Sequence, residues 1–425
     1  MVLVHERGTF MFDCGEGTQL LAQEASFKQA KITHIFITHL HGDHIFGIAG
    51  LLCLVGWSKM QNALLDKLPA RQLEEEEAGT GANAPALPIE IFGPVGTRDY
   101  IRSSLQLTMA EIAAKYRVHE LEEIPLLNTS ESSAVVQPGS DDLYPVPGKV
   151  LPAEVSAGGL DPSFRHGEVQ GGRQIFPDSD GTWHCWPLRP TSEGEADTLL
   201  DISDEVTVRA AAMVHSVPCV GFVVKEKPRR GKMKTDKLEH LINRNAKELQ
   251  AQLQGNPKQI YGTLKKLKSG ESYTFPDGTS VFADEFREKS TEGRHIVICG
   301  DTSDASRLLP YSNNADVVVH ECTNACVNGQ GSGSPAEERL RAKKNGHSTP
   351  DVAGEFQRSA RAKKLILTHF SARFCGDDRP ESLARMYEIE EQARVASSLE
   401  GEDVIAAWDL MVLPIPRRKT HFELE

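Results

Sequence analysis

No stretch of this 425-residue chain approaches the roughly 20 consecutive apolar residues a membrane-spanning helix requires, so a helical membrane protein is excluded. The opening MVLVHERGTF has neither the apolar core of a secretory signal nor the Arg/Ser bias of a transit peptide. Paired cysteines are missing too. Cys14, Cys53, Cys185, Cys219, Cys299, Cys322, Cys326 and Cys375 are scattered, with no C-x-x-C among them. That excludes a disulfide framework or a zinc ribbon, and it reads as buried free thiols in a reducing compartment, cytoplasm or nucleus. The chain also lacks an overall positive balance: 47 Lys+Arg face 60 Asp+Glu, a net charge of −13. On average this disfavours a polyanionic partner, but the charge is unevenly distributed.

Three stretches read as loops or insertions. Residues 72–87, QLEEEEAGTGANAPAL, are acidic and too poor in apolar side chains to fold alone. Residues 126–204 are rich in Pro, Gly, Ser and Asp without a sustained period, and read as a mobile insertion in which Trp183 and Trp186 anchor a part. Residues 328–345 are short and polar. Between Lys225 and Lys268, 13 Lys/Arg oppose four acids, a local balance of +9. Alone, such a run reads as a solvated helix or a nuclear-import signal, KPRRGKMK.

Elsewhere short apolar runs alternate with helical stretches. TFMFD, ITHIFIT, PIEIFG, VRAAAMV, VGFVVK, HIVICG, ADVVVH and KLILTH read as strands. His44–Gly56, Gly96–Leu107, Thr235–Leu253, Pro350–Arg361 and Pro380–Ala396 read as helices. Strands mixed with helices predict an α/β sheet sandwich.

The sharpest feature is His39-Leu40-His41-Gly42-Asp43-His44, set between the strand ITHIFIT and the helical run IFGIAGLLCLVGW. Packing does not call for three imidazoles and a carboxylate in six residues, whereas zinc takes this donor set. At a strand-to-helix corner, His39 and His41 point one way while Asp43 and His44 begin the helix and point another. Further donors end other apolar strands: His215 after VRAAAMV, Asp301 after HIVICG, His369 after KLILT. Strand ends are where an open sheet presents functional groups. Coordination then closes with His39, His41 and His215 on one ion, Asp43, His44 and His369 on the other, and Asp301 between them. Two zinc ions about 3.5–4 Å apart can share a hydroxide and clamp an in-line displacement.

H-x-H-x-D-H followed by His, Asp and His resembles the metallo-β-lactamase superfamily, which implies an αββα sandwich. FDCGEGTQ (Phe12–Gln19), HLHGDHIFGIAGLL (His39–Leu52), GDT (Gly300–Thr302), HECT (His320–Thr323), HST (His347–Thr349) and LTHFSARF (Leu367–Phe374) together resemble tRNase Z, the 3′ tRNA-processing endoribonuclease. IAAWDLMVLPIPR resembles that family's ending. One H-x-H-x-D-H and this length suit the single-domain short form, spanning 1–425.

The resemblance implies a precursor tRNA substrate, two zinc ions per subunit, a homodimer and a set of roles. Asp43 would act as general base on the attacking water. His347 would protonate the departing 3′ oxygen, oriented by Glu321. Asp13 and Asp409 would accept hydrogen bonds from ligand imidazoles, and Arg373 would contact phosphate. His34, His295 and His320 remain packing or surface residues. The basic segment, about 225–270, becomes a protruding arm gripping tRNA phosphates, with Lys227, Arg229, Arg230, Lys265 and Lys266 as contacts.

Three departures stand out. The family begins with an extra strand and a Gly-rich turn before Phe12–Gln19, so a truncated start is expected here, which leaves an organellar address open. The arm's Gly-Pro pair is replaced by Asn256-Pro257-Lys258-Gln259, and Phe374 stands in place of a Tyr. Two other classes compete: a hydrolase of the same fold acting on a small phosphodiester or thioester, and a non-enzymatic RNA-binding protein with a decayed site.

Overall fold

Alternating side chains divide the strands between a helix-facing and a sheet-facing surface. The computed structural model describes residues 1–6, 8–65, 87–110, 112–127, 135–136, 167–189, 205–327, 333–397 and 399–419. β1 (Val2–His5), β2 (Gly8–Phe12), β3 (Ile32–Phe36), β4 (Ile89–Pro94) and β5 (Tyr116–Leu121) lie side by side. β6 (Leu126–Leu127) and β7 (Val135–Val136) pair separately, and β8 (Gln174–Ile175) joins the free side of β5. β1 is antiparallel to β2, and the other neighbours in this sheet are parallel. The register aligns Phe12, Phe36, Phe92 and His119 across β2 to β5. Their rings stack in turn, with centroids 5.1, 5.0 and 4.7 Å apart. On the other face Met11, Ile35, Ile91 and Val118 pack under the helices Ile48–Leu65 and Thr97–Leu107.

The second sheet takes β9 (Thr182–Trp186), β10 (Val206–Met213) and β11 (Cys219–Glu226). After the hairpin of β12 (Ser272–Thr274) and β13 (Ser280–Phe282) it continues with β14 (His295–Ile298), β15 (Val317–Glu321), β16 (Leu365–Thr368) and β17 (Val404–Ala406). The strand order is β17-β16-β15-β14-β11-β10-β9. Its outer face, with Val297, Val318 and Leu365, packs on the helices Pro350–Ala360 and Pro380–Ser397 through Ala353, Phe356, Ile389 and Ala393. The inner faces meet: Phe222 lies 5.7 Å from Phe12 and 5.4 Å from Phe36, and Trp186 lies 4.3 Å from His34. The result is the helix–sheet–sheet–helix sandwich expected from the sequence.

The chain divides into two compact units: Met1–Val224 with His295–Leu413, and Lys225–Arg294 with Pro414–Glu425. Several expectations are corrected. The basic segment does not stop near residue 270. Leu238, Leu241, Leu249, Ile260 and Leu264 share a core with Phe275, Val281 and Phe286, so β12 and β13 belong to the same unit. Its helix breaks at buried Asn245, whose amide donates to Leu241 O while its carbonyl accepts from Asp277 N, each at 2.9 Å. Such side-chain bonds compete with the helical backbone. At the replaced Gly-Pro pair, Asn256 Oδ1 caps the short turn Pro257–Gln259 by accepting from Lys258 N at 2.9 Å. Glu226 is nearly buried under Arg294 and Arg417, at 2.5 and 2.7 Å, so the tail from Pro414 is tied into this unit.

Of the insertion at 126–204, residues 167–189 are built into the sandwich, supplying β8 and β9. Trp183 and Trp186 are fully buried there, and Trp183 Nε1 donates to Glu122 O at 2.8 Å. The run at 72–86 and most of 128–166 and 190–204 lie outside the described residues. The polar stretch at 328–345 is not all loop: Ser334 and Glu337 form a capping box that starts the helix Pro335–Lys344. β1 pairs along the outer side of β2, so β2 is not a sheet edge. No helix among the described residues is long and apolar enough to cross a membrane.

Candidate metal centre and active site

β3 ends at Phe36, and the chain passes through Thr38, His39 and His41 into the one-turn helix Gly42–Ile45. Glycine makes this corner fit: a Cβ on Gly47 would fall 2.0 Å from Gly15 O, and one on Gly15 would fall 2.0 Å from Asp43 O. That close approach brings Asp13, held at φ 58°, under His44. Asp tolerates this left-handed backbone better than most residues.

His39, His41 and His215 present one nitrogen each to a common point. His41 Nδ1 lies 3.1 Å from His39 Nε2 and 3.2 Å from His215 Nε2. Asp43, His44, Asp301 and His369 form a second group. Here His44 Nε2 lies 3.3 Å from His369 Nε2, and Asp301 Oδ2 lies 3.5 and 3.2 Å from those two atoms. Asp301 Oδ2 is also 3.9 Å from His39 Nε2, so this carboxylate stands between the groups.

The outward nitrogens decide which lone pairs face the centre. His44 Nδ1–H donates to Asp13 Oδ2 at 2.8 Å, and His215 Nδ1–H to Gly346 O at 2.8 Å. His39 Nδ1–H reaches Thr38 Oγ1 at 3.0 Å, and His369 Nδ1–H reaches Thr323 Oγ1 at 2.8 Å. In all four the outward nitrogen is committed, which turns Nε2 toward the centre, as a metal ligand requires. Tetrahedral zinc with Zn–N bonds of about 2.0–2.1 Å has nitrogen–nitrogen edges of roughly 3.3 Å, so the observed spacings suit it.

Charge follows the same design. Burial holds His39 well below its ordinary range and lowers His215 and His41, which keeps these imidazoles neutral and available as donors. Burial also opposes charge on His44, but its bonds to Asp13 and Asp301 lift it to about 10. A cation at its Nε2 must therefore displace a proton. Burial would raise Asp301, yet its bond to His44 and the charge of His369 hold it far below the carboxylate range.

Beside the second group, His347 Nδ1 lies 3.0 Å from Glu321 Oε1. Glu321 is itself buried and fixed: it accepts from Thr302 N at 3.0 Å and from Thr323 N and Oγ1 at 2.9 and 2.8 Å. Burial works against charge on His347, but the bond to Glu321 prevails and raises it.

The chain is similar to known proteins. The metallo-β-lactamase superfamily model matches residues 1–96. Zinc phosphodiesterase ELAC protein 1 of Bos taurus is 33% identical over 427 residues, covering 99% of this chain and 94% of its own. This chain belongs to the tRNase Z family of the metallo-β-lactamase superfamily. Ribonuclease Z of Streptococcus equi subsp. equi (strain 4047) is 28% identical over 392 residues, covering 92% of this chain and 88% of its own. The crystal structure of human tRNase Z, short form, superposes with a TM-score of 0.49 at 25% identity, covering 98% of this chain and 91% of that one.

Within this tRNase Z site, two residues are not where the sequence put them. Asp409 is exposed in a turn, and among the described residues no ligand imidazole donates to it. Arg373 is turned inward, pairing with buried Glu338 and lying 5.0 Å over the Phe374 ring, so its charge is matched internally rather than offered to phosphate. Thr38 and Thr323, which orient ligand imidazoles, were not singled out; the only sequence signal is that each sits in a conspicuous His-containing motif. His34 and His320 are buried away from the cluster, as expected. In the second unit Lys227, Arg230, Lys265 and Lys266 are exposed, and Arg229 is half-buried with its backbone paired to Thr291.

Asp13 supports a direct test. Asp13→Ala is expected to weaken zinc affinity about 10- to 100-fold by freeing the His44 ring. Competition with a chromogenic chelator measures this. Asp13→Asn, which keeps a hydrogen-bond acceptor at the same backbone, should lose less.

Proposed function

We propose that this chain is a zinc-dependent endoribonuclease that removes the 3′ trailer from precursor tRNA, with two zinc ions per subunit, leaving a 3′-hydroxyl on the tRNA. The observation that carries the reading is the pair of donor groups joined at Asp301, with the His347–Glu321 pair beside them. His39, His41 and His215 would hold one ion and Asp43, His44 and His369 the other, with Asp301 shared. Bound there, zinc supplies Lewis acidity and lowers the pKa of water to about 7.

The side chains do the rest. Burial opposes ionisation of Asp43, but the charge of His44 and the contact with His369, whose Nε2 lies 3.2 Å away, hold its carboxyl below the ordinary range. It is ionised at neutral pH and is the general base for the attacking water. Its side chain is 64% exposed, open to substrate. His347 delivers a proton to the departing 3′ oxygen, and Glu321 fixes its ring and favours its charged form. Sequencing the ends produced from one precursor tRNA, with and without chelator, tests the reading. Turnover of a small phosphodiester with no trimming of the RNA would replace it.

The second unit grips the tRNA. Residues 225–294 hold 16 Lys/Arg against 10 Asp/Glu, +6 in a chain of −13, which suits phosphate contacts. Its two ends meet, Glu226 N donating to Arg294 O at 2.9 Å, so a short linker can replace residues 227–293. That replacement is expected to raise KM for precursor tRNA roughly 100-fold or more and to flatten its salt dependence, while hydrolysis of a small phosphodiester persists. Parallel kinetics on the two substrates check it, and equal losses would make the unit structural.

Homodimerisation is supported by exposed Leu20, Leu21, Trp57 and Met60 on the neighbouring helices Thr18–Glu24 and Ile48–Leu65, an apolar surface that a second copy would cover. Eight unpaired thiols support a cytoplasmic or nuclear setting.

A further inference from the structure

Most large aromatic rings of the sandwich are buried, but Trp408 is 66% exposed. It sits where the catalytic edge continues past its last metal-binding side chain. β17 runs parallel to β16 with Ala406 opposite Leu367, and Ala407 N donates to Leu367 O at 2.8 Å. Trp408 thus follows the end of β17 just as His369, at φ 56°, follows the end of β16, at the same edge of the sheet. A turn holds the backbone there: Met411 N donates to Trp408 O at 3.2 Å, and Leu410 takes φ 63°. Among the described residues the indole has no aromatic or cationic partner. An exposed indole on an anchored strand end, near a centre that cuts RNA, offers a flat apolar face to a ligand.

We propose that Trp408 is a stacking platform for the nucleobase of the first trailer nucleotide, and so a substrate-binding residue for the cleavage. This rests on the functional reading above, with His347 as the acid. A base is the matching occupant because the indole offers a π face while phosphate recognition needs charge, and base–indole stacking tolerates any sequence. The side follows from the order of the strand ends. Asp301, Glu321 and His369 follow β14, β15 and β16 in turn, and Trp408 follows β17 at the outside. His347, bonded to Glu321, marks the tRNA 3′ oxygen on the β15 side. Trp408 lies beyond His369 in the opposite direction, where the strand leaves the phosphate as trailer.

The experiment uses the full-length zinc enzyme and precursor tRNAs identical except that the first trailer nucleotide, or the last tRNA nucleotide, is abasic. Trp408→Ala is expected to raise KM about 5- to 100-fold on the complete precursor. Trp408→Phe should recover most of that loss. With an abasic first trailer nucleotide, wild type and Trp408→Ala should converge; an abasic last tRNA nucleotide should leave the gap between them intact. An equal penalty on all three substrates would overturn the proposal by making the indole structural, and convergence on the tRNA-side abasic substrate instead would overturn the trailer assignment. Equal zinc content and Tm in the variants confirm that folding is not the cause. Cleavage of the complete precursor by wild type tests the underlying function separately.

Discussion

Asp301→Ala is expected to lower trailer cleavage by at least roughly 10³-fold and to reduce the zinc content of the purified protein. The carboxylate is 3% exposed and its Oδ2 lies within 3.9 Å of three candidate ligand imidazoles from two segments, His39 and His44 from one and His369 from the other. No neighbouring side chain can replace it, because the other carboxylate of the cluster, Asp43, belongs to one group only. Deletion removes a negative charge from a place where bound cations would otherwise repel each other, and leaves imidazole donors facing one another without a counter-charge. The magnitude follows from the chemistry those cations support: without them the pKa of water rises from about 7 toward 15.7, and little hydroxide exists at neutral pH. Asp301→Asn keeps the volume and one neutral oxygen, and should fall between wild type and Ala in zinc content while remaining nearly inactive. Metal analysis beside single-turnover cleavage reads both effects. A fully active, fully loaded Asp301→Ala enzyme would remove the carboxylate from the centre.

The side chains that the fold gathers as candidate ligands could be read from sequence because metal donors concentrate where strands end, and strand ends are marked by apolar runs. His39, His41, Asp43 and His44 crowd one corner, and His215, Asp301 and His369 each close a Val-, Ala- or Leu-rich strand. What the sequence hid was pairing across distance. Arg373 reads as a free cation until the fold brings Glu338 to it from 35 residues away. Asp409 lies in a segment resembling the family's ending, but a turn leaves it in solvent. Thr38 and Thr323 act through one hydroxyl each, and threonine is too common beside strands to signal it. The helix Pro335–Lys344 escaped because it is polar all round and carries no apolar stripe; only its capping box announces it. The second unit's core was obscured because its apolar residues are divided among helices interrupted at Asn245 and a hairpin beyond the basic run. Charge drew the boundary too early, and packing moved it.

His347→Ala should lower kcat on precursor tRNA about 10²- to 10⁴-fold without loss of zinc, the range for removing a positioned general acid. His347 Nδ1 is committed to Glu321, so its other nitrogen is the one available to a departing oxygen. The ribose 3′ oxygen is a poor leaving group and needs a proton as its bond to phosphorus breaks. A p-nitrophenolate does not, so hydrolysis of a p-nitrophenyl phosphodiester should fall far less in the same variant. The pH profile separates this role from a structural one. Burial lowers the affinity of His347 for its proton, but Glu321 outweighs burial and raises the pKa above the ordinary 6.5. An acid must be protonated to act, so the rate on tRNA should hold through neutral pH and decline as pH climbs through that raised value. Glu321→Gln removes the charge that raises it, and the decline should then begin at lower pH. His347→Ala should lose that limb altogether on the residual rate. A variant whose alkaline limb stayed in place, or one equally crippled on both substrates, would assign the protonation to another group.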